Sequence, residues 1–530
     1  MSAGLLQPPV SRRVLNLGDL MTQTASRLPG HTAFVCGDRT WTWQEQNART
    51  DAFAHALQAG GIGKGDRVLV QARNSNAMFE TMFACFKAGA VCVPVNSRLS
   101  PPELAYIAGH SGACAIVRDD IFAEHGQAAL EQMAECRLHA VIGVRQAGEQ
   151  SYEDLVAAHL GKMFHSVRVE QDDACWFFFT SGTTGYPKAA VLTHGQMGFV
   201  VTNHLADLVP GTTHEDASLV VAPLSHGAGI HQLTQVARGA RTVLLAGDRL
   251  DPAEAFRLIE EHRVTNMFTV PTILKRLAES AAADAHDHSS LRHVIYAGAP
   301  MYRSDQQMIL ERLGKCIVQY FGLGEVTGNI TVLPAYEHDV DDAVQTCGAS
   351  CGYARTAMDV RIFDMDGNPC SDEEQGEICV AGPAVFAGYY DNEEANEKAF
   401  RNGFFRTGDL GFLDERGYLT ITGRASDMYI SGGSNIYPRE IEEVILTHPA
   451  VAEVAVLGLP DEQWGEAGVA VLVLKPESSL EPAVLTAWLG ERIARYKLPK
   501  QVVIWDELPK SAYGKVPKRL IRETLLAGRE

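Results

Sequence analysis

Residues 180–188 read Thr180-Ser181-Gly182-Thr183-Thr184-Gly185-Tyr186-Pro187-Lys188. Four aliphatic hydroxyls, two glycines and a lysine share this short stretch. Such a composition can cradle phosphate. Glycines let backbone N–H groups converge on an anion, hydroxyls donate further hydrogen bonds, and a lysine adds a point charge. The spacing is not that of the Walker loop, which ends in a Gly-Lys pair. Here Tyr186 and Pro187 separate Gly185 from Lys188. Taken alone, the same residues also suit a flexible surface turn.

Further stretches follow in fixed order. They are Ala222-Pro223-Leu224-Ser225-His226-Gly227, Ala297-Gly298-Ala299-Pro300 and Gln319-Tyr320-Phe321-Gly322-Leu323-Gly324-Glu325. Then come Gly376-Glu377-Ile378, Gly388-Tyr389-Tyr390, Thr407-Gly408-Asp409 and Gly423-Arg424. The series closes with Gly432-Gly433-Ser434-Asn435-Ile436-Tyr437-Pro438-Arg439-Glu440-Ile441-Glu442 and Gly514-Lys515. Singly, each has an ordinary reading. Glu325 and Lys515 suit solvated surface charges, Phe321 and His226 suit the core, and Arg424 suits a surface ion pair.

In this order the stretches closely resemble the adenylate-forming superfamily of acyl-CoA synthetases, adenylation domains and beetle luciferases. The resemblance runs from about residue 30 to about residue 520. It implies a fatty-acid or aromatic-acid CoA ligase working in two steps. A carboxylate attacks the α-phosphate of MgATP to give an acyl adenylate and pyrophosphate. A thiol, usually that of coenzyme A, then displaces AMP. Two anions must meet, so catalysis has to neutralise and position charge.

The resemblance also implies roles. The loop Thr180, Ser181, Gly182, Thr183, Thr184 and Lys188 would hold the β- and γ-phosphates. Glu325 would bind Mg²⁺, with Thr184 beside it, as magnesium prefers carboxylate and phosphate oxygens. Phe321 would stack on adenine, with Tyr320 next to it, and Gly298, Ala299 and Pro300 would pack the other face. Asp409 would accept hydrogen bonds from the ribose, near Arg424. His226 would line the acyl pocket, a core histidine being its ordinary reading. Lys515 would bridge the carboxylate and the α-phosphate. Gly432 and Gly433 would let the pantetheine arm pass closely.

The chain departs from the family in places. Gly324 stands where threonine is usual, Phe321 where tyrosine is commoner, and Ser426 at the hinge position. Pro517 follows Lys515 where the family seldom has proline. No essential charge is lost, so activity is expected. The segment Gly227-Ala228-Gly229-Ile230-His231-Gln232 has no acid to pair with a substrate ammonium. That disfavours an amino-acid-loading module, leaving an acyl-AMP ligase that loads a carrier protein as the alternative. Lys515, Glu325 and Asp409 together argue against a nonenzymatic nucleotide binder, while a luciferase-like oxygenase would share every motif. Gly227, Ala228 and Gly229 are small and would leave room for a medium-to-long fatty or aromatic monocarboxylate rather than acetate.

The elements that position these residues read as α/β. The run Trp176-Phe177-Phe178-Phe179 suits a buried strand. Short apolar runs at 68–70, 90–95, 114–118, 139–144, 218–224 and 241–246 alternate with helical patterns, and 76–88 suits an amphipathic helix. The texture changes after about residue 424. A helix from Pro438, strands at 451–458 and 468–475, a helix at 482–495 and a strand at 501–505 make a small α/β unit. The expectation is a large N-terminal domain of mixed β-sheets with flanking helices at 1–423, a hinge at 424–427, and a small mobile α/β domain at 428–530 that carries Lys515.

The net charge of −19 argues against nucleic-acid or anionic-membrane partners. The eleven cysteines show no CxxC pair, so reduced buried thiols are expected instead of a disulfide framework. No run is long enough to span a membrane, and Met1-Ser2-Ala3-Gly4 opens no signal-like segment. A cytoplasmic enzyme is the expectation, with a homodimer left open.

Overall fold

The computed structural model describes residues 13–527 apart from 181–186, 246, 248–249, 300, 342–349, 432–433 and 511–515. Three sheets with flanking helices build the large N-terminal portion, and a fourth builds the small C-terminal one.

The nine-stranded sheet has at its centre Ile317–Phe321, His293–Tyr296, Asn266–Thr269, Ala217–Val220 and Arg241–Leu244, all paired in parallel. Asn266–Thr269 and Ala217–Val220 are buried at every position. A parallel sheet with helices on both faces demands this. Because the strands run the same way, their carboxyl ends share one edge. The stretches 222–227, 297–299 and 322–325 begin just past those ends. Open α/β sheets bind ligands at that edge.

The seven-stranded sheet carries the strand Ala174–Thr180, parallel to Val91–Pro94 and antiparallel to Lys188–Thr193. Its side chains alternate between two cores, as the strand period requires. Trp176 joins Phe86, Leu224 and Leu233, with Phe178 packed against that cluster. Phe177 and Phe179 join Leu104 and Ile116 on the other side. The third sheet is antiparallel and includes Gly376–Ala381, Phe404–Leu413 and Leu419–Arg424.

In the C-terminal part, strands Val451–Asp461 and Gly465–Leu474 form a long hairpin. The helix Pro438–Leu446 covers one face, and Ile521 of the helix Lys518–Ala527 packs on the other. The helix expected at 482–495 ends at Gly490, since glycine is a poor helix residue. The helix Asn76–Ala88 also differs from expectation. It is not amphipathic, because every residue in it is buried. Its charges enter the core as pairs: Glu80 accepts from Arg49 Nε at 2.6 Å and from the Tyr152 hydroxyl at 3.0 Å. Lys87 Nζ lies 2.5 Å from Asp51 Oδ1. Buried charges need such partners. The cysteines of the described residues are free thiols, mostly buried, and no described helix is long and apolar enough to cross a membrane.

Candidate active site

Glu325 stands where the nine-stranded and seven-stranded sheets meet the segment that follows the strand Gly376–Ala381. It follows the strand Ile317–Phe321 and is 5 % exposed. Its Oε1 accepts from the Thr180 hydroxyl at 2.9 Å, at the end of the strand that leads into the 181–186 segment. The same oxygen accepts from the Tyr389 hydroxyl at 2.9 Å. Tyr389 belongs to a segment beyond the strand Gly376–Ala381 and is bridged to Ala190 on the neighbouring strand. Burial first, then the Glu325 charge, pushes the Tyr389 phenol well above its ordinary range, so it stays a donor. Lys188 Nζ sits 4.1 Å from the Tyr389 ring centroid, a cation–π contact at the mouth of the loop. Carboxylate and hydroxyl oxygens together form the hard donor set that magnesium prefers.

Gly324 has a local cause. A Cβ there would lie 2.6 Å from the Phe178 ring and 3.0 Å from Thr180 Cγ2. Phe178 therefore fills the space that a side chain at 324 would take. The turn continues through Thr327, whose φ of 52° is rare for a non-glycine residue.

On the other side of Phe178, its ring meets His226 edge-on with centroids 5.2 Å apart. His226 caps the helix Gly227–Arg238, and its Nδ1 pairs with the Ser225 hydroxyl at 2.8 Å. Asn74 pins this loop from both sides: its amide donates to the Ala222 carbonyl at 2.9 Å and accepts from Leu224 N–H at 2.8 Å. Asn74→Ala would orphan both backbone groups, so the KM for the acid should rise about fivefold with little change for ATP. Steady-state kinetics with each substrate varied in turn checks this.

The glycines of this helix do not leave open room, which corrects the expectation from their size. A Cβ at Gly227 would stand 2.5 Å from the Phe268 ring, and one at Gly229 would collide with the Leu224 carbonyl and crowd Trp176. Phe268 in turn lies 5.9 Å from Tyr320, centroid to centroid. Tyr320 and Phe321 are neighbours on one strand and so point to opposite faces. Tyr320 is buried beside Phe268, while Phe321 is half-buried.

Asp409 and Arg424 are partners across the antiparallel ladder, and Arg424 Nε donates to Asp409 Oδ1 at 2.8 Å. The Asp409 charge raises the guanidinium pKa, and Glu325 contributes to the same field. Arg424 ends its strand inside the ladder, and the chain turns at 425–427. Gly298, with φ of 81°, and Ala299 follow the strand His293–Tyr296. Ser181, Gly182, Thr183, Thr184, Pro300, Gly432, Gly433 and Lys515 lie outside the described residues. Sequence reasoning gave no role to Tyr389, Phe178, Phe268 or Asn74. Tyr389 stood inside one of the motif stretches, but nothing in the sequence ties it to Glu325.

A family model described as AMP-binding enzyme matches residues 21–390. The chain belongs to that family. The model for the AMP-binding enzyme C-terminal domain matches residues 440–515. This AMP-binding enzyme is 35 % identical over 508 residues to a feruloyl-CoA synthase of Amycolatopsis, covering 96 % of this chain and 98 % of that one. It is 33 % identical over 523 residues to a long-chain-fatty-acid–CoA ligase of Mycobacterium tuberculosis, with the same coverage. Among solved structures, ATP-bound MatB from Rhodopseudomonas palustris superposes with a TM-score of 0.86 at 28 % identity, over 96 % of this chain and 99 % of that one. The protein is an adenylate-forming enzyme of the acyl-CoA synthetase class. Its class is that of the acid–thiol ligases.

Proposed function

We propose that the enzyme joins an aromatic monocarboxylic acid to coenzyme A, with Mg²⁺ and ATP, by way of an acyl adenylate. The observation that carries the aromatic reading is the ring-lined wall beside His226. Phe178 stands edge-on to His226, Phe268 fills the space over Gly227, and Tyr320 stands behind it. Rings favour offset or edge contacts with other rings, so a flat acid gains more here than a coiling alkyl chain. The similarity to a feruloyl-CoA synthase supports this reading.

In the first step a carboxylate oxygen attacks the α-phosphorus, the bond from that phosphorus to the bridging oxygen breaks, and pyrophosphate leaves. Lys188 and the loop Thr180–Thr184 hold the departing phosphates. Glu325 would hold Mg²⁺ with Thr184, and the ion offsets phosphate charge when bound. Phe321 and the stretch Gly298, Ala299 and Pro300 sandwich adenine, and Asp409 and Arg424 fix the ribose. Lys515 steadies the negative charge that gathers between carboxylate and phosphate. In the second step the coenzyme A sulfur attacks the acyl carbon, its proton passes to solvent, and AMP leaves. The 1–423 portion holds both substrates, and the 428–530 portion swings about the 424–427 hinge. The swing withdraws Lys515 and brings Gly432 and Gly433 to the pantetheine arm.

The test is pyrophosphate release, with and without coenzyme A, from ferulate, indole-3-acetate, palmitate and acetate. The aromatic acids should turn over fastest and yield thioester. Fastest turnover of palmitate or acetate would overturn the aromatic reading. Pyrophosphate release without a CoA thioester would overturn the coenzyme A reading in favour of a carrier protein.

A further inference from the structure

We infer that the Glu442–Lys518 ion pair is a positioning pair for Lys515. The inference rests on the reading of Lys515 as the lysine of the first step. Glu442 lies in the helix Pro438–Leu446 and is 7 % exposed. Its Oε1 accepts from Val456 N–H at 2.7 Å and from Lys518 Nζ at 2.7 Å. One buried oxygen thus ties together the helix, the central hairpin and the first residue of the last helix, Lys518–Ala527. Lys518 is three residues beyond Lys515.

The other end of the lysine-bearing segment is anchored as well. Lys510 Nζ lies 3.0 Å from Glu453 Oε1 on the same hairpin, and Leu508 is buried in the cluster that includes Leu457, Val471 and Ile521. Val516 packs against that cluster. The two anchors differ in kind. Lys510 and Glu453 are partly exposed, and an exposed pair contributes little. Lys518 and Glu442 are largely buried, with side chains 20 % and 9 % exposed. A buried carboxylate that loses its cation is costly, which makes this anchor stiff. A stiff anchor matters because displacement of a catalytic group by about 1 Å can cost a hundredfold in rate.

The experiment compares the parent enzyme with Lys518→Met, Lys518→Arg, Glu442→Gln and Lys515→Ala. Each is assayed for pyrophosphate release with the acid that the panel above ranks first, and for thioester formation from the matching supplied acyl adenylate. Thermal melting reports folding. Lys518→Met and Glu442→Gln should lower kcat for adenylation about ten- to a hundredfold, leave the KM for ATP nearly unchanged and spare the thioester step. Lys518→Arg, which keeps the cation, should restore most of the rate. Equal losses in both half-reactions, or losses that track melting temperature and not residue charge, would overturn the inference. So would full adenylation activity in Lys518→Met beside an inactive Lys515→Ala. If Lys515→Ala itself retains adenylation, the underlying reading falls and the pair loses its role with it.

Discussion

Lys515→Ala should slow adenylation about a thousandfold and leave thioester formation from supplied acyl adenylate within about threefold of the parent rate. The first step brings a carboxylate against a polyphosphate, and no hydrogen-bond donor without a charge offsets that repulsion as an ammonium does. At neutral pH a lysine is charged, and its ammonium offers three donors, enough to serve two oxygens at once. Removal of a single well-placed donor to a developing charge costs a hundred- to a thousandfold in other enzymes. The second step attacks a neutral acyl carbon, so no second anion has to be brought against the phosphate, although the departing AMP oxygen gains a negative charge as the acyl–oxygen bond breaks. Rapid-quench measurement of each half-reaction separates the two. An equal loss in both would contradict the division of labour between two orientations of the C-terminal domain.

Gly324→Thr should lower the adenylation rate about ten- to a hundredfold, although it restores the residue usual at this position in the family. The new Cβ would stand 2.6 Å from the Phe178 ring. Something must move, and each available movement harms the site. If Phe178 yields, it presses into His226, which its ring already meets at 5.2 Å. If Thr180 yields, the 2.9 Å bond that orients Glu325 is lost. Phe178→Leu in the same chain frees the space, so the double variant should recover most of the rate. The two singles and the double make a cycle whose coupling term is the quantity of interest. Additive effects would mean that glycine at 324 has a cause other than Phe178.

Some of this was legible in the sequence. The apolar run before Thr180 announced its strand, and short apolar runs alternating with helical patterns announced the α/β fold. What stayed hidden was of three physical kinds. Glu325, Thr180 and Tyr389 converge through tertiary docking alone, and no local pattern encodes a contact across 145 or 64 residues. The glycines at 227 and 229 looked like open space, yet small residues are also what a chain uses where rings and carbonyls already fill the volume. The helix Asn76–Ala88 showed polar residues at intervals, and periodicity cannot distinguish a solvated charge from one paired inside a core. Asn74 failed for a related reason, since one amide pinning a distant loop leaves no trace in composition.

The hub at Glu325 also bears on how activity is acquired as the chain folds. One carboxylate oxygen gathers donors from chain segments far apart, so it can be completed only after the nine- and seven-stranded sheets and the segment around Tyr389 have docked. Contacts of such long sequence separation form late, because loop closure must come first. Secondary structure and much of the hydrophobic burial will therefore precede ATP turnover during refolding. A chain still emerging from the ribosome, with residues up to about 380 made, holds Thr180 and Glu325 but lacks Tyr389. The nucleotide chemistry is thus withheld from the nascent protein by topology.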